Sequence, residues 1–557
     1  MAESVDSVNE ENLGEVSNDV ADSQDAILDS SDPYEKLNRG ASSRSVGESN
    51  SHQSSSDHDG TNSDYCRNGD VGLLEIAVEA QPDLVFESDL GNANQEPLPY
   101  VRPRVYLERE SFNQNEDSLS RTPNASILED SSIQTIDEED GSDSPVWKSQ
   151  KKHYFVLSEA GKPIYTRYGN EEQLVTLFGV MQALVSIVED GEDHLETIHA
   201  GDTRFVFLHK TPLILVAVSK MKDSVMQLQL QLEYLYNQIV SVLTKNQLER
   251  IFEQRRNYDL RRLLAGSERL MDNLVSYMAN DYSILLGAVK CLPMPASDRD
   301  AVTQTIHQHC CKIKGLLFAI LVGANQLISL VRVNKKYLLH PSDVHVIINL
   351  VNSSETFKTA EGWTPLCLPH FDSSCFLYVH ASYLSDDCQA CLLLFSTDRD
   401  SFFALSDAKK NIVDRLRRNN NILESITLAL HNTSPFQNQC QLGFADVRHF
   451  LYKSRSSAQY TNAPITPPYQ NEQGQQYLMD LYRHIHGRMH ASLRPLKLLC
   501  HTAEKEVLFG SVTPSCELYM ILEPMTTKTS AVNAAHTVLK WIKREEENHF
   551  ITTSGNW

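Results

Sequence analysis

The 557-residue sequence has no apolar run long enough to cross a lipid bilayer. Its longest apolar run, residues 315–324, is about half of the roughly 20 residues that a membrane-spanning helix needs. The first 15 residues are acidic and contain neither the basic stretch nor the apolar stretch of a secretory signal. We therefore expect a cytoplasmic protein that does not cross a membrane.

The sequence also lacks an excess of positive charge. Its formal net charge is −23 at pH 7. Residues 1–150 account for this excess of negative charge, because they contain 33 acidic residues and 9 basic ones. Proteins that bind nucleic acids neutralise phosphates with a basic surface, and no such surface dominates here. We therefore predict no nucleic-acid partner.

Common catalytic motifs are absent as well. Gly161, Lys162 and Pro163 lack the spacing of a phosphate-binding P-loop. Neither H-E-x-x-H nor G-x-S-x-G occurs, and His484 and His486 have no nucleophile beside them in their predicted helix. We predict no catalytic residue and no cofactor, since a hydrolase or transferase would need a constellation that this sequence does not display.

The eleven cysteines do not form a recognisable metal-binding or disulfide pattern. Their odd number and scattered positions favour reduced, buried thiols. Cys388 and Cys391 form a C-x-x-C that continues directly into a predicted strand without a second pair. The His/Cys cluster at 307–311 includes i, i+2 positions, which diverge on a helix. The sequence therefore predicts no metal site.

The chain divides into a polar tail and a longer apolar part. Residues 1–149 are rich in Ser, Asp, Glu and Asn and contain too little apolar surface to offset the entropy of ordering, so we predict a disordered acidic tail. Two apolar islands, residues 71–80 and 97–107, are either residual hydrophobicity or short docking motifs.

After residue 150 one pattern of elements occurs three times. Two strands, a helix, three strands and a closing helix are indicated by apolar periodicity and turn residues. In the third copy, residues 454–468 are predicted to be a loop. The fold class is therefore α/β of the α+β type, with three units that each pack an antiparallel sheet with helices. The predicted boundaries are 1–149 for the tail, 150–245 for the first unit, 246–305 for a helical connector, 306–432 for the second unit and 433–557 for the third unit.

Several basic residues cluster in the connector and in a loop of the second unit. A solvated surface is one explanation. The alternative is contact with anionic lipid headgroups. The candidate lipid-binding residues are Arg255, Arg256, Arg261, Arg262, Lys335 and Lys336.

Long stretches of the ordered part resemble one known family. They are residues 151–190, residues 201–220 and residues 314–351, together with GWTPLCLPHF at 362–371 and HFLYKS at 449–454. These stretches closely resemble the vacuolar fusion protein MON-one family, also called SAND proteins. The resemblance covers essentially everything after residue 151, and it implies three units of the longin type.

The resemblance also implies a function. It suggests a non-catalytic subunit of a guanine-nucleotide exchange factor that pairs with a CCZ-one-like longin subunit, sometimes with a third regulatory subunit. The GTPase activated would be the late-endosomal Rab (Rab seven). An upstream early-endosomal Rab and phosphatidylinositol 3-phosphate would recruit the complex to endosomes, autophagosomes and lysosomes. The alternative is a longin scaffold or tethering subunit without exchange activity.

The same resemblance directs attention to the first unit for partner contacts, and especially to the helix predicted at 170–190. Ordinary core packing competes equally with an interface role for Phe178 and Met181. Trp363 is a candidate anchor for the upstream Rab because exposed aromatic residues are common hot spots, with core packing again an equal competitor. The candidate partner-binding residues are Leu174, Phe178, Met181, Gln182, Val185 and Trp363.

Overall fold

The computed structural model describes residues 145–334, 336–418, 422–431 and 446–552. Most of the predicted tail, including both apolar islands, and Lys335 lie outside the described residues. The tail was predicted to extend to residue 149, but helix α1 (Pro145–Ser149) already belongs to the fold. Trp147 explains this difference, because its ring packs 4.0 Å from that of His153 and its Nε1 donates to the Tyr168 carbonyl at 3.2 Å. No helix of the described part is long and apolar enough to span a bilayer.

The first unit has the predicted order of elements. A capping box begins its closing helix, where the Ser224 hydroxyl accepts from the Gln227 backbone and the Gln227 side chain accepts from the Ser224 backbone. The elements are β1 (Lys152–Ser158), β2 (Pro163–Thr166), α2 (Val175–Glu189), β3 (Thr197–Ala200), β4 (Thr203–Lys210), β5 (Leu213–Ser219) and α3 (Val225–Leu243).

The connector is mostly helical, as predicted from its sequence. It contains α4 (Lys245–Gln254), α5 (Arg261–Leu264), α6 (Glu268–Asn280), α7 (Tyr282–Leu286), β6 (Val289–Lys290) and α8 (Ala296–Cys310). Helix α8 crosses the boundary predicted at 305/306. Its residues Val302, Ile306 and Cys310 are buried in the core of the second unit, so packing assigns the whole helix to that unit.

The second unit repeats the order of the first. One long closing helix was expected over residues 407–428, and the described residues on both sides of 419–421 are helical, while residues 419–421 lie outside the described part. The elements are β7 (Leu316–Gly323), β8 (Gln326–Arg332), α9 (Pro341–Ser353), α10 (Thr356–Thr359), β9 (Gly362–Leu368), α11 (Pro369–Asp372), β10 (Ser373–Ser385), β11 (Cys388–Ser396), α12 (Phe402–Arg418) and α13 (Ile422–His431).

The third unit corrects one prediction. Residues 454–468 were expected to be a loop, but they contain strand β13, where the buried Gln459 side chain exchanges hydrogen bonds with the backbone of Ile551 at 2.8 and 3.0 Å. The elements are β12 (Val447–Ser454), β13 (Gln459–Asn462), α14 (Glu472–Met489), β14 (Leu498–Thr502), β15 (Val507–Val512), β16 (Cys516–Leu522), α15 (Lys528–Arg544) and α16 (Glu546–His549).

The three sheets share one topology. The strand order is β2-β1-β5-β4-β3 in the first sheet and β8-β7-β11-β10-β9 in the second. The corresponding order in the third sheet is β13-β12-β16-β15-β14. These neighbouring strands are antiparallel, and the third sheet gains β6, which pairs parallel with β13. The prediction of three units of one topology, each an antiparallel sheet packed with helices, is confirmed.

Each sheet is covered by helices on both faces, because successive strand residues point to opposite sides. In β1, Tyr154 and Val156 contact the core that includes α3, whereas Phe155 and Leu157 contact the core that includes α2. In the second unit α9 covers one face and α8, α12 and α13 cover the other. In the third unit α15 and α14 cover the two faces.

Helix α3 joins the first unit to the other two. The Tyr234 hydroxyl of α3 lies 2.8 Å from Nδ1 of His345 on α9, and the Asn349 amide of α9 donates to Gln238 at 2.8 Å. At its beginning, α3 contacts the third unit, where the Gln227 amide donates to the Arg483 carbonyl of α14 at 2.9 Å. These buried polar contacts fix the positions of the three units relative to α3.

A buried charge cluster reinforces the junction of the first and third units. Asp223 is 1% exposed and lies 2.9 Å from the Lys152 ammonium and 3.8 Å from Nε of Arg483. The Ser219 hydroxyl donates to the same carboxylate at 3.2 Å. Burial lowers the pKa of Lys152, while the Asp223 charge opposes that effect. Lys152 therefore depends on this carboxylate for charge compensation, whereas Arg483 also pairs with Asp480 at 2.9 Å.

We predict that Asp223→Asn lowers the free energy of unfolding by about 3–5 kcal/mol, the usual cost of leaving a buried charge without its partner. The substitution keeps the shape of the side chain, so a lost charge and not a cavity causes the loss. Urea denaturation measures it. Asp202→Asn, in the exposed turn between β3 and β4, is the matched control and should change stability by less than about 0.5 kcal/mol. Equal midpoints for the two variants would contradict the prediction.

Candidate functional site

Helix α2 has an unusual composition for a helix at the surface of a unit. Its sequence, VTLFGVMQALVSIVE, contains no Lys or Arg, and its one charged residue is Glu189 at the last position. A helix that packs on a sheet from one side normally presents a polar face to solvent. Because the large exposed side chains of α2 are apolar, its solvent side is a candidate for contact with another molecule.

The inner face of α2 completes the core of the first unit. Leu174, Phe178, Met181 and Val185 are each at most 2% exposed, and the Phe178 ring meets the Phe155 ring edge-on at 5.6 Å. These four residues were candidates for partner contacts, and for Phe178 and Met181 core packing was the equal alternative. The structure places all four side chains in the core. The candidate surface therefore moves to the other side of the helix.

The outer face of α2 is formed by residues that the sequence analysis did not select. Val175 is 51% exposed, Val180 52%, Leu184 39% and Ile187 68%. Val180, Leu184 and Ile187 follow one another at i, i+4 and i+7 and so share one side of the helix. The sequence signal that could have identified them is the lack of a polar face. Apolar residues occur on the solvent side of the helix as well as on the side that faces the core.

Gln182 links the outer face of α2 to the neighbouring β1–β2 turn. Its amide donates to the Ser186 hydroxyl at 3.2 Å, and its side chain lies against Gly161. Gly161 has φ +76°, and a Cβ at this position would come within 3.1 Å of Gln182 Cγ. Only glycine fits this close approach without strain. The next residue, Lys162, therefore has a defined position beside α2.

Lys162 lines a pocket of about 500 Å³ that contains three of the six predicted basic residues. The Lys162 ammonium donates to the Asn257 carbonyl, which fixes the turn to the connector. Arg255, Arg256 and Arg262 are exposed. The residues that line this basic pocket are Lys162, Arg255, Arg256, Asn257, Tyr258, Asp259 and Arg262.

Arg261 is engaged beside the pocket and is not among its lining residues. Its Nε and Nη2 donate to the Asp259 carboxylate at 3.1 and 3.0 Å, and Nη1 lies 3.6 Å from Glu172, just before α2. Burial raises the pKa of Asp259, but the hydrogen bonds and charge of Arg261 outweigh burial and lower it. The pocket therefore keeps an ionised carboxylate that Arg261 balances, and Lys162 and the exposed arginines give it a positive sign.

The two predicted lysines of the second unit do not join this pocket. Lys336 is exposed in the loop between β8 and α9 and is not among the lining residues, and Lys335 lies outside the described residues. Leu338, two residues further, is 63% exposed. Lys336 in the second unit therefore stands apart from the arginines of the connector.

Trp363 lies in a small aromatic cluster at the edge of the second sheet. It stacks on Tyr378 at 5.7 Å with an interplanar angle of 16° and meets Phe402 edge-on at 5.8 Å. Its side chain is partly buried, and the adjoining Phe403 is 79% exposed. The cluster therefore combines packed rings with one ring that projects into solvent.

The cysteines and histidines noted in the sequence differ from each other in their surroundings, since the thiols of the C-x-x-C are buried singly whereas His486 joins a cluster. Cys388 and Cys391 are buried, and burial raises the pKa of Cys391 to about 12, so that thiol is protonated and inert at neutral pH. None of the nine cysteines in the described ranges is part of a disulfide. His486, by contrast, converges with His490 and Glu517, a grouping that the sequence analysis did not foresee.

Comparison with known proteins agrees with this architecture. Sequence profiles of the first, second and third longin domains of FUZ, MON1 and HPS1 match residues 152–274, 314–414 and 446–546. The vacuolar fusion protein MON1 homolog A of Gallus gallus is 46% identical over 447 residues, which cover 80% of each chain. The chain belongs to the MON1 (SAND) family.

Other MON1 relatives show how far this similarity extends. Protein SAND of Takifugu rubripes is 44% identical over 447 residues, 79% of this chain and 85% of its own length. The vacuolar fusion protein MON1 homolog B of Homo sapiens is 39% identical over 421 residues, 73% of this chain and 76% of its own length. The three longin units of this MON1 chain are therefore β1–α3, β7–α13 and β12–α15, each with its flanking helices.

Proposed function

We propose that this chain is a subunit of a heteromeric guanine-nucleotide exchange factor that acts in vacuolar fusion and membrane trafficking. Its partner subunit is a CCZ-one-like longin protein, and its target is the late-endosomal Rab GTPase (Rab seven). Membership of a family whose members are named vacuolar fusion proteins supports the proposed role in vacuolar fusion and membrane trafficking. The observation that carries the proposal for this chain is the apolar outer face of α2.

The outer face of α2 has the chemistry of the centre of a protein interface. Interface cores are depleted in charged residues, and contiguous apolar side chains on an otherwise polar surface indicate contact with another protein. Val180, Leu184 and Ile187 lie on a helix whose opposite side is fixed in the core by Phe178 and Val185. The surface is therefore rigid before binding, which reduces the entropy lost on association.

Exchange by such a surface needs no covalent chemistry. A GTPase holds GDP through its phosphate loop and a magnesium ion, and a protein that binds the nucleotide-free form more tightly shifts the population toward nucleotide release. The rate then depends on shape complementarity to the switch regions of the GTPase. The rigid packing of α2 on the first sheet supports this role.

Release of labelled GDP from the Rab GTPase tests the proposal. We expect no acceleration by this chain alone or by the partner subunit alone, and strong acceleration by the purified pair. A pair that binds the GTPase without accelerating release would identify the chain as a longin scaffold and would overturn the exchange-factor proposal. An unrelated Rab loaded with the same nucleotide is the control for specificity.

The basic pocket supports a second element of the proposal, contact with anionic lipids such as phosphatidylinositol 3-phosphate. Lys162, Arg256 and Arg262 present cations around one concave surface, and each basic residue near an anionic membrane contributes about 1 kcal/mol to binding. The pocket adjoins the β1–β2 turn beside α2. A membrane held here would lie close to the proposed protein interface.

We predict that Arg256→Glu with Arg262→Glu reduces binding of the protein to vesicles containing phosphatidylinositol 3-phosphate by at least about 10-fold. Vesicle flotation measures the bound fraction. Arg417→Glu with Arg418→Glu, on the last turn of α12, supplies the same change of charge far along the chain and should have a smaller effect. Equal losses in the two variants would show that overall charge, and not the pocket, governs binding.

The aromatic cluster at Trp363 supports a third contact, with the upstream early-endosomal Rab GTPase. The exposed ring of Phe403 beside the packed rings of Trp363 and Phe402 offers an exposed aromatic side chain of the kind that hot spots use. A pull-down with that GTPase in its GTP-bound form, using Phe403→Ala, tests this contact while leaving the packed tryptophan in place.

A further inference from the structure

Three potential metal ligands meet in the third longin unit, away from the surfaces described above. One ring nitrogen of His486, one of His490 and one carboxylate oxygen of Glu517 all lie within 4.8 Å of one another. His486 and His490 are at i and i+4 of α14 and so share one side of that helix. Glu517 is on β16 beneath the helix and is 2% exposed.

We propose that His486, His490 and Glu517 form a binding site for a transition-metal ion, with Zn²⁺ as the best match. Two imidazoles and one carboxylate are a ligand set that Zn²⁺ uses in proteins. Two histidines at i and i+4 on a helix are a common way of presenting two of those ligands. The buried carboxylate distinguishes this cluster from the acidic groups that are frequent on protein surfaces.

Unsatisfied hydrogen-bonding capacity in His486 is an independent indication. Its Nδ1 is buried and has no hydrogen-bond partner, although buried polar atoms are normally paired. The rings of His486 and His490 lie 4.3 Å apart at an interplanar angle of 35°. Tetrahedral Zn²⁺ holds ligand atoms roughly 3.4 Å apart, so small side-chain rotations would bring the three ligands together.

The surrounding residues both orient the carboxylate and limit the expected affinity. Oε2 of Glu517 is 3.6 Å from Nε2 of His490 and accepts a hydrogen bond from Tyr519 at 2.9 Å. Its other oxygen, Oε1, is 3.4 Å from the Lys453 ammonium and 3.6 Å from Nε of Arg455. These contacts orient the carboxylate as outer-sphere partners do, but the two cations oppose a third positive charge. We therefore expect tighter binding when Lys453 is neutralised.

A metal here would fasten α14 to β16. The same helix contacts the first longin unit through the Arg483 carbonyl and close to Gly487. Metal occupancy would therefore stabilise the helix that connects two units. The expected consequence is a higher unfolding temperature of the whole chain in the presence of Zn²⁺, because a ligand that binds only the folded state stabilises it by mass action.

Titration of the metal-free full-length protein with Zn²⁺ and with Co²⁺ tests the site. We expect one bound ion per chain, a rise in unfolding temperature, and a Co²⁺ spectrum without thiolate charge-transfer bands, since no cysteine is a ligand. His490→Gln should weaken Zn²⁺ binding by more than about 10-fold, because the loss of a ligand should exceed the lower end of the loss typical of outer-sphere changes. His501→Gln, an exposed histidine on β14, is the matched control and should bind as the wild type does.

Lys453→Met keeps all three ligands and removes a repelling charge, so it should bind Zn²⁺ more tightly than the wild type. This variant keeps the proposal testable should His490→Gln fold poorly, which far-ultraviolet circular dichroism would reveal. Zn²⁺ that leaves the unfolding temperature unchanged in both the wild type and Lys453→Met would overturn the proposal. The cluster would then be a purely hydrogen-bonded network.

Discussion

Val180→Asp combined with Ile187→Asp is expected to abolish association with the longin partner and, with it, the acceleration of GDP release. The two side chains are 52% and 68% exposed on the outer face of α2, so the fold itself loses little when they change. In an interface they would be buried, and each new carboxylate would then lose its water without gaining a cation. Burial of an unpaired charge costs several kcal/mol, which corresponds to a loss of affinity of at least about 100-fold.

The matched control places two carboxylates on exposed apolar positions elsewhere. Leu428 on α13 is 60% exposed and Val532 on α15 is 38% exposed. Leu428→Asp with Val532→Asp should keep association and exchange close to the wild type. Co-purification of the two subunits and the rate of GDP release are measured for both double variants. Normal association of Val180→Asp/Ile187→Asp would exclude the outer face of α2 as the interface.

A different result is possible, in which Val180→Asp/Ile187→Asp still associates with the longin partner but no longer accelerates GDP release. It would show that α2 contacts the GTPase and not the longin partner. Titration of the intact pair with nucleotide-free GTPase would then show weaker binding for the α2 variant. In either case the outer face of α2 remains the functional surface, and the two measurements decide which protein it binds.

The repeated fold could be predicted because its signals are local. The strands around Phe155 and Val216 are bounded by turn residues, and the helices show apolar residues at a spacing of three to four. Strand β13 escaped prediction although it pairs with its chain neighbour β12, because its residues Gln459–Asn462 (QYTN) are mostly polar and show no apolar alternation. Distant segments add to its stability, since β6 lies about 170 positions earlier in the chain and Gln459 forms hydrogen bonds with the Ile551 backbone.

The candidate site was predicted only in part. The family resemblance directed attention to this helix, and Phe178 and Val185 belong to its regular apolar spacing, which is typical of the face that packs into a core. The structure places both side chains there. The proposed binding face of the same helix differs from an ordinary solvent face because apolar residues, Val180, Leu184 and Ile187, stand where polar ones are expected. The composition of a whole helix, rather than its periodic positions, was the informative quantity.

The basic pocket and the cluster of His486, His490 and Glu517 each bring together residues from separate segments of the chain. Lys162 comes from the β1–β2 turn and Arg262 from the connector, about 100 residues later. His486 and Glu517 are joined only by the packing of α14 on the third sheet. Sequence spacing revealed neither arrangement, because each requires knowledge of which helix covers which sheet.

Acidification is expected to destabilise the protein strongly between about pH 6.5 and pH 4 through its buried histidines. His153, His345, His449 and His549 are each at most 5% exposed. Burial is the largest cause that lowers their pKa from 6.5, to about 4 for three of them and to about 3 for His449. The unfolded chain therefore binds more protons than the folded chain throughout this range.

The sign of the effect follows from this difference in proton binding. Stability from these histidines is fully present above their unfolded pKa of 6.5 and is lost as the pH falls toward their folded pKa. Each contributes a slope of up to about 1.4 kcal/mol per pH unit. Glu517 adds a loss only below its unfolded pKa of 4.5, since its folded pKa is about 2. The loss of stability that the histidines cause can therefore be measured between pH 6.5 and 4.5 without a contribution from Glu517.

Urea midpoints followed by tryptophan fluorescence between about pH 7 and pH 5 measure this slope. His345→Gln should reduce it by up to about 1.4 kcal/mol per pH unit, because glutamine can replace the contacts with Tyr234 and the Ala288 carbonyl but binds no proton. His199→Gln, on the exposed strand β3, should leave the slope unchanged. The slope, unlike the absolute stability, does not respond to lost packing alone. A slope that is the same in His345→Gln and the wild type would mean that His345 is already charged in the folded protein.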